Sequence, residues 1–167
     1  HPVEVPQYEN DRYHLQAETL LSGSWPRDVY RPTLYVLLTA ALGLVTGDCF
    51  LGGKIVSSFG IALLIVATHR LTRELHGRTS AVTAAMLTAV SPLAIRYGLV
   101  AGTDALFAAL FTLALFASLR AARTLDMRSA ALAGVAFSMA YWCRYPAIVL
   151  LPVALLGSAL GARSGDR

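Results

Sequence analysis

Residues 50–68 of the chain, FLGGKIVSSFGIALLIVAT, decide the fold, because Lys54 is the one charged side chain among them. A helix needs about 20 apolar residues to cross the roughly 30 Å hydrocarbon core of a bilayer, and this stretch is long enough. The whole chain has the same character, since 56% of its 167 residues are apolar and 14% are charged. Soluble globular domains carry more charge than this. We therefore predict an all-α membrane protein.

Further apolar stretches predict a polytopic transmembrane helix bundle with about five spans. The last two stretches are short and need side chains at their ends that reach the interface. The predicted spans are residues 50–68, 80–97, 103–119, 129–143 and 146–161. The predicted domains are an external loop with two interfacial helices over 1–49, the transmembrane bundle over 50–161 and a cytoplasmic tail over 162–167.

Two shorter helices are predicted to lie on the external surface of the membrane. Residues 33–46 are apolar but too few to span a bilayer. Upstream, Tyr13 and Ala17 mark the apolar face of an amphipathic helix. Asn10 or Asp11 is the expected N-cap of this helix, because Asn and Asp side chains accept hydrogen bonds from a first turn.

Clusters of arginine between the spans predict the orientation of the protein. Cytoplasmic loops of membrane proteins carry an excess of Lys and Arg. Successive clusters are separated by two spans, so they agree in placing one face in the cytoplasm. The clusters are Arg70, Arg73 and Arg78, then Arg120, Arg123 and Arg128, then Arg163 and Arg167. The net charge of +4 does not indicate a nucleic-acid partner, since the basic residues form no single polar face.

Charged residues on the opposite, external face form the candidate site. Charges at a membrane are costly, so a group of them on one face indicates function. Carboxylates can deprotonate a hydroxyl or hold a divalent metal, and arginines bind phosphate through a planar fork. The candidates are Glu9, Asp11 and Asp104 as acids and Arg31, Arg96 and Arg144 as bases. Each also has a structural alternative: the aspartates as helix caps, Arg96 and Arg144 as interfacial anchors, and Arg31 as a turn residue.

Four stretches resemble the GT-C superfamily of polytopic glycosyltransferases, in the branch of the protein O-mannosyltransferases and the lipid A aminoarabinose transferases. The similarity extends from about Tyr8 onward. The stretches are RPTLY at 31–35, GKIVSSFGIALLIVATHRLTRELHGR at 53–78, AVSPLAIRYGLVAGTDALFAALFTLALF at 89–116 and LAGVAFSMAYWCRYPAIVLLPVALL at 132–156.

The resemblance implies a role for five of the six candidate residues. Glu9-Asn10-Asp11 resembles the family's acidic pair in the first external loop, where an acid is the general base; the alignment favours Glu9 and the spacing also admits Asp11. Arg31 matches a basic residue that contacts the lipid phosphate, although Pro32-Thr33 replaces the usual double proline. Asp104 matches the acid of the second external loop, and Arg144 matches a basic residue at the end of a later span.

The resemblance therefore implies sugar transfer from a polyprenyl-phosphate donor to a hydroxyl of a protein, lipid or glycan acceptor, with inversion, on the extracytoplasmic face of the cell membrane. A divalent metal, Mg or Mn, held by Glu9, Asp11 and Asp104 is an open alternative.

The competing functions are a transport protein and a non-catalytic scaffold of envelope biogenesis. Transport is disfavoured because the predicted spans are nearly free of ionisable residues. The chain begins at His1 rather than Met and is expected to be a fragment that needs the rest of the protein for activity.

Small side chains at four-residue spacing predict close packing between helices. Such residues let helix backbones approach each other in lipid. The series are Ala81/Ala85/Ala89, Ala130/Gly134/Ser138 and Gly157/Gly161. The two cysteines, Cys49 and Cys143, are predicted near the same membrane face, so a disulfide is an alternative to inert packing.

Overall fold

The computed structural model describes residues 12–25, 32–149 and 152, and all regular secondary structure in these residues is helical. The predicted all-α class is therefore confirmed. The α-helices are α1 (Tyr13–Leu21), α2 (Thr33–Thr46), α3 (Cys49–His76), α4 (Arg78–Val90), α5 (Pro92–Leu99), α6 (Asp104–Thr124) and α7 (Met127–Cys143), and a 3₁₀-helix covers Tyr145–Val149.

Helices α3 and α6 are the two described helices long and apolar enough to cross a membrane. The count becomes three if α4 and α5 form one bent span. Residues 129–143 of the predicted set lie in the shorter α7, and most of 146–161 lies outside the described residues. The described part of the chain thus has two or three candidate spans, against the five expected for the whole sequence.

The stretch at 80–97 was expected to be a single helix, and the structure corrects this. α4 ends at Val90 and α5 begins at Pro92, with a bend of 56° between them. Ser91 has an extended backbone, with φ −63° and ψ 121°. A residue that precedes proline is disfavoured in helical geometry, so Pro92 explains the break.

Helices α3 and α6 lie side by side with the same direction. Near the middle of α3 and the start of α6, a Cβ added at Gly60 would come within 2.7 Å of the Leu106 backbone nitrogen. Near their C-terminal ends, the Arg123 Nη1 atom donates a hydrogen bond of 2.7 Å to the Glu74 carbonyl oxygen. The backbones are therefore in direct contact at Gly60, a position that only glycine fills without displacement.

Helix α7 runs antiparallel to α6 and packs through a different face from the one expected. The Asp126 carboxylate caps its start by accepting hydrogen bonds from the N–H groups of Arg128 and Ser129, which lower the pKa of Asp126. The series Ala130/Gly134/Ser138 is exposed, so that prediction was wrong for the described residues. The buried face is Ser129, Ala133, Ala136, Ala140 and Cys143.

Helices α1 and α2 pack on the N-terminal half of α3. As the amphipathic pattern predicted, Tyr13 and Ala17 are buried, and the Tyr13 ring meets Tyr35 of α2 edge-on with centroids 5.3 Å apart. The α2–α3 turn passes through Gly47, whose φ of 76° suits glycine. The structure gives Arg12 as the N-cap of α1, whereas the expected caps, Asn10 and Asp11, lie outside the described residues.

Candidate active site

Two of the six candidate site residues, Asp104 and Arg144, form an ion pair. Asp104 is the first residue of α6, and Arg144 follows the last residue of α7. The Arg144 Nη1 atom donates a hydrogen bond to Asp104 Oδ1 across forty residues of sequence. Glu9, Asp11 and Arg31 lie outside the described residues, so their roles stay predictions.

The antiparallel packing of α6 and α7 brings this pair together. Cys143 is fully buried, and its Sγ atom lies 3.6 Å from the Thr103 carbonyl oxygen, to which it donates. Thr103 and Cys143 immediately precede Asp104 and Arg144. The contact between Cys143 and Thr103 therefore brings Arg144 close to Asp104.

The Asp104–Arg144 pair is accessible from outside the helix bundle. The Asp104 side chain is 34% exposed and that of Arg144 is 45% exposed. Partly exposed ion pairs contribute little to stability. A guanidinium carries five N–H donors and binds phosphate in a planar, bidentate manner, which leaves donors of Arg144 for an anionic ligand.

An apolar groove of about 550 Å³ opens beside Asp104. It lies between α6 and the α4–α5 pair and reaches α3. The lining residues are Ile61, Leu64, Leu87, Thr88, Ser91, Leu93, Ala94, Tyr97, Asp104, Ala105, Phe107 and Ala108. Asp104 is the one charged side chain in this lining, so the groove joins an apolar surface to a charged end.

Phe107 connects the ion pair with the groove. It lies one helical turn after Asp104, lines the groove, and has its ring centroid 5.9 Å from the Arg144 Cζ atom. Phe111 stacks against Phe107 with centroids 6.1 Å apart. A cation over an aromatic face is stabilised by the ring quadrupole, so Phe107 favours a position of Arg144 at the end of the groove.

Arg96, the third candidate in the described residues, lies on α5 and is not among the residues that line the groove. It belongs to the last turn of α5, and its side chain is exposed. The next residue, Tyr97, lines the groove. The described site therefore has a carboxylate and a guanidinium in contact at one side and a second guanidinium on the neighbouring helix.

The sequence did not single out a buried polar cluster behind Asp104. The Tyr35 hydroxyl of α2 lies 2.9 Å from Ser57 Oγ of α3, and Ser57 Oγ donates a hydrogen bond of 3.0 Å to the Gly102 carbonyl oxygen. Burial raises the pKa of Tyr35 to about 12. These residues carry no charge, and hydroxyls are common in membrane helices, so no sequence signal distinguished them.

The described residues do not form a metal site by themselves. Among residues 12–25, 32–149 and 152, no three His, Cys, Asp or Glu side chains come together as a metal ion requires. Asp104 offers a single carboxylate, which faces a guanidinium. The metal alternative thus depends on Glu9 and Asp11, outside this part of the chain.

Cys49 and Cys143 are both buried and free, so the two thiols form no disulfide with each other.

Comparison with known protein families identifies a match over most of the chain. The protein-family model for Dolichyl-phosphate-mannose-protein mannosyltransferase matches residues 30–166, which is most of the chain. No curated protein and no solved structure matches it. The matched range covers α2 to α7, and with them the Asp104–Arg144 pair and the groove.

Proposed function

This chain belongs to the dolichyl-phosphate-mannose-protein mannosyltransferase family, and from that premise we propose that it moves a sugar from a polyprenyl-phosphate donor to an acceptor hydroxyl, with inversion, on the extracytoplasmic face. Membership bears out the resemblance found in the sequence and makes the protein a membrane glycosyltransferase of the mannosyltransferase type. The donor, the sidedness and the inversion belong to the proposal.

The observation that carries the proposal is an ion pair at the end of an apolar groove. A polyprenyl phosphate has an anionic head and a long apolar tail. Arg144 offers N–H donors to a phosphate, while the groove lined by Phe107 and its neighbours offers an apolar wall. A ligand of this shape matches both parts of the site, whereas a wholly polar sugar nucleotide would leave the groove unused.

In the proposed reaction the acceptor oxygen attacks the anomeric carbon of the sugar. The bond between that carbon and the phosphate oxygen breaks, its electron pair stays on the phosphate, and the acceptor proton passes to a carboxylate. The family resemblance assigns this proton to Glu9 or Asp11. Arg31 and Arg144, with Arg96 on the neighbouring helix, stabilise the charge that develops on the leaving phosphate.

Asp104 has a positioning role in this scheme. Its carboxylate binds Arg144 and so fixes the guanidinium at the end of the groove. Its partly exposed position also allows it to orient an acceptor hydroxyl. A divalent metal stays a prediction attached to Glu9 and Asp11.

The test is the transfer of labelled sugar from a polyprenyl-phosphate donor by the protein in membranes. We expect Arg144→Gln and Asp104→Asn to lower kcat/KM by about 10²- to 10³-fold, since single groups that stabilise developing charge have this effect. Glu9→Ala and Asp11→Ala test the general base, and the essential acid of the two should cost about 10²- to 10⁴-fold.

Arg123→Gln is the matched control for these variants. Arg123 pairs with Glu74 at the other end of α6, with side-chain exposures of 46% and 31%, close to those of the Arg144–Asp104 pair. This control should keep its activity. Full activity of Arg144→Gln and Asp104→Asn would contradict the assigned roles, and binding of the lipid phosphate without any transfer would favour the scaffold.

A further inference from the structure

The buried hydroxyls of Tyr35 and Ser57 are joined to the segment that carries Asp104. Each hydroxyl has one proton, so a continuous chain has Tyr35 donating to Ser57 Oγ and Ser57 donating to the Gly102 carbonyl oxygen. The Gly102 N–H donates back to Ser57 Oγ at 3.3 Å. A second acceptor for Tyr35 is the Gly53 carbonyl oxygen, at 2.8 Å. Tyr35 and Ser57 are fully buried.

One hydroxyl, that of Ser57, thus holds both backbone polar groups of Gly102. Gly102 and Thr103 are buried and immediately precede α6. On the other side, the Thr103 carbonyl oxygen accepts from Cys143. The segment 102–103 is therefore held between α3 and α7, with Asp104 as the next residue after it. The partner of Asp104, Arg144, is the next residue after Cys143.

We propose that Tyr35 and Ser57 are positioning residues that fix the Asp104–Arg144 pair through Gly102 and Thr103. The proposal rests on the proposed function for its catalytic consequence. Neither hydroxyl touches the groove or the ion pair, so the two residues act through the backbone that precedes α6. Precise placement of charged groups matters because displacement by about 1 Å costs about 10²-fold in rate.

The neighbouring Ser58 provides a matched control. Its Oγ atom donates a hydrogen bond of 2.9 Å to the Gly98 carbonyl oxygen, so it also joins α3 to another element. That element is α5, not the segment before Asp104. Ser57→Ala and Ser58→Ala therefore remove the same group from adjacent positions of one helix, and they differ in which backbone segment is released.

The two native cysteines report the position of this segment without any assay of activity. Cys143 contacts Thr103, whereas Cys49, also buried, lies against Gly43 of α2. Alkylation of the folded protein by a small thiol reagent, followed by peptide mass spectrometry, measures each site separately. We expect Ser57→Ala to speed alkylation of Cys143 about fivefold, the effect of losing one hydrogen bond, with Cys49 unchanged. Tyr35→Phe should speed alkylation of Cys143 in the same way, but it also removes the hydrogen bond to Gly53 that joins α2 to α3, so Cys49 is compared only in Ser57→Ala.

Ser58→Ala should leave both cysteines as slow as in the unmodified protein. Unchanged alkylation of Cys143 in Ser57→Ala would overturn the proposal. Equal acceleration at Cys143 and Cys49 would overturn it as well, because the hydroxyls would then stabilise the whole bundle rather than one segment.

A double-mutant cycle on sugar transfer tests the catalytic part. We expect Ser57→Ala to lower the rate per folded protein about tenfold alone, and to have little further effect in Asp104→Asn, because the two changes act on one step. Multiplicative losses would overturn the positioning role. Absence of transfer by the unmodified protein would contradict the proposed function instead, and the alkylation result would then decide alone whether the two hydroxyls position the pair.

Discussion

At the residue scale, burial moves the pKa of the Tyr35 phenol further above the physiological range. Loss of water around the phenol raises its pKa from 10.0 to about 12. The phenol is therefore neutral at every physiological pH and able to donate to Ser57 or Gly53. The hydrogen-bond chain behind Asp104 does not switch with pH in the physiological range.

The raised pKa of Tyr35 predicts a loss of stability in alkali. Because the folded pKa lies above the unfolded value, the contribution is fully present below pH 10 and is lost as the pH rises towards about 12. Over that window it amounts to roughly 2 kcal/mol. Thermal unfolding of the protein and of Tyr35→Phe across this range should show the difference between them shrinking above pH 10.

A difference in stability between the protein and Tyr35→Phe that stays constant up to about pH 11.5 would contradict this prediction. Tyr141→Phe serves as the control for removing a phenol, because the Tyr141 side chain is exposed.

Charged residues were easier to predict from the sequence than the neutral residues that hold them. Asp104 and Arg144 were singled out because a charge near a membrane span is unusual, and the structure brings the two into contact. Ser57 was not singled out from the sequence, because its partner Gly102 lies forty-five positions away and a serine within a membrane span is common. Only the three-dimensional packing shows which hydroxyl faces which backbone.

At the element scale, glycine positions determine how closely the helices approach. A Cβ at Gly60 would lie 2.9 Å from the Ala105 carbonyl carbon and the Leu106 Cα atom. These are backbone atoms, so the clash cannot be relieved by turning a side chain. At Gly134, by contrast, no heavy atom among the described residues lies within 4 Å of the added Cβ.

Substitution of these two glycines should have opposite effects. Gly60→Ala forces α3 and α6 apart and should lower the free energy of unfolding by about 1–3 kcal/mol, the usual cost of overpacking. Gly134→Ala should raise it by about 0.5–1 kcal/mol, since alanine favours a helix over glycine. Unfolding of both variants in detergent measures the difference. Equal effects at the two sites would contradict the packing of α3 on α6.

The element boundaries were partly predictable. Pro92 was a signal for the break between α4 and α5, although hydropathy alone gave one continuous span over 80–97. The face of α7 was not predictable in the same way. Small residues occupy both Ala130/Gly134/Ser138 and the face that includes Ala133 and Ala136, so spacing alone does not tell which one is buried.

At the scale of the whole molecule, the two ends of α6 have different chemistry. Its first residue, Asp104, contacts Arg144, next to the aromatic residues Tyr141 and Trp142. Its last turn contains Arg123, which contacts Glu74 at the end of α3. The structure thus brings two of the arginine clusters to one end of the bundle. Tyr and Trp are enriched at membrane interfaces, and basic clusters at the cytoplasmic one.

This polarity predicts which end of α6 faces the cytoplasm. Ser24 follows α1, which packs beside the start of α3, and Thr124 ends α6; both side chains are exposed. We expect a membrane-impermeant maleimide to label Ser24→Cys in intact cells, and to label Thr124→Cys only after lysis. The native cysteines are buried and give little background. Labelling of Thr124→Cys in intact cells would place the arginine clusters outside, and the proposed extracytoplasmic reaction would then be wrong.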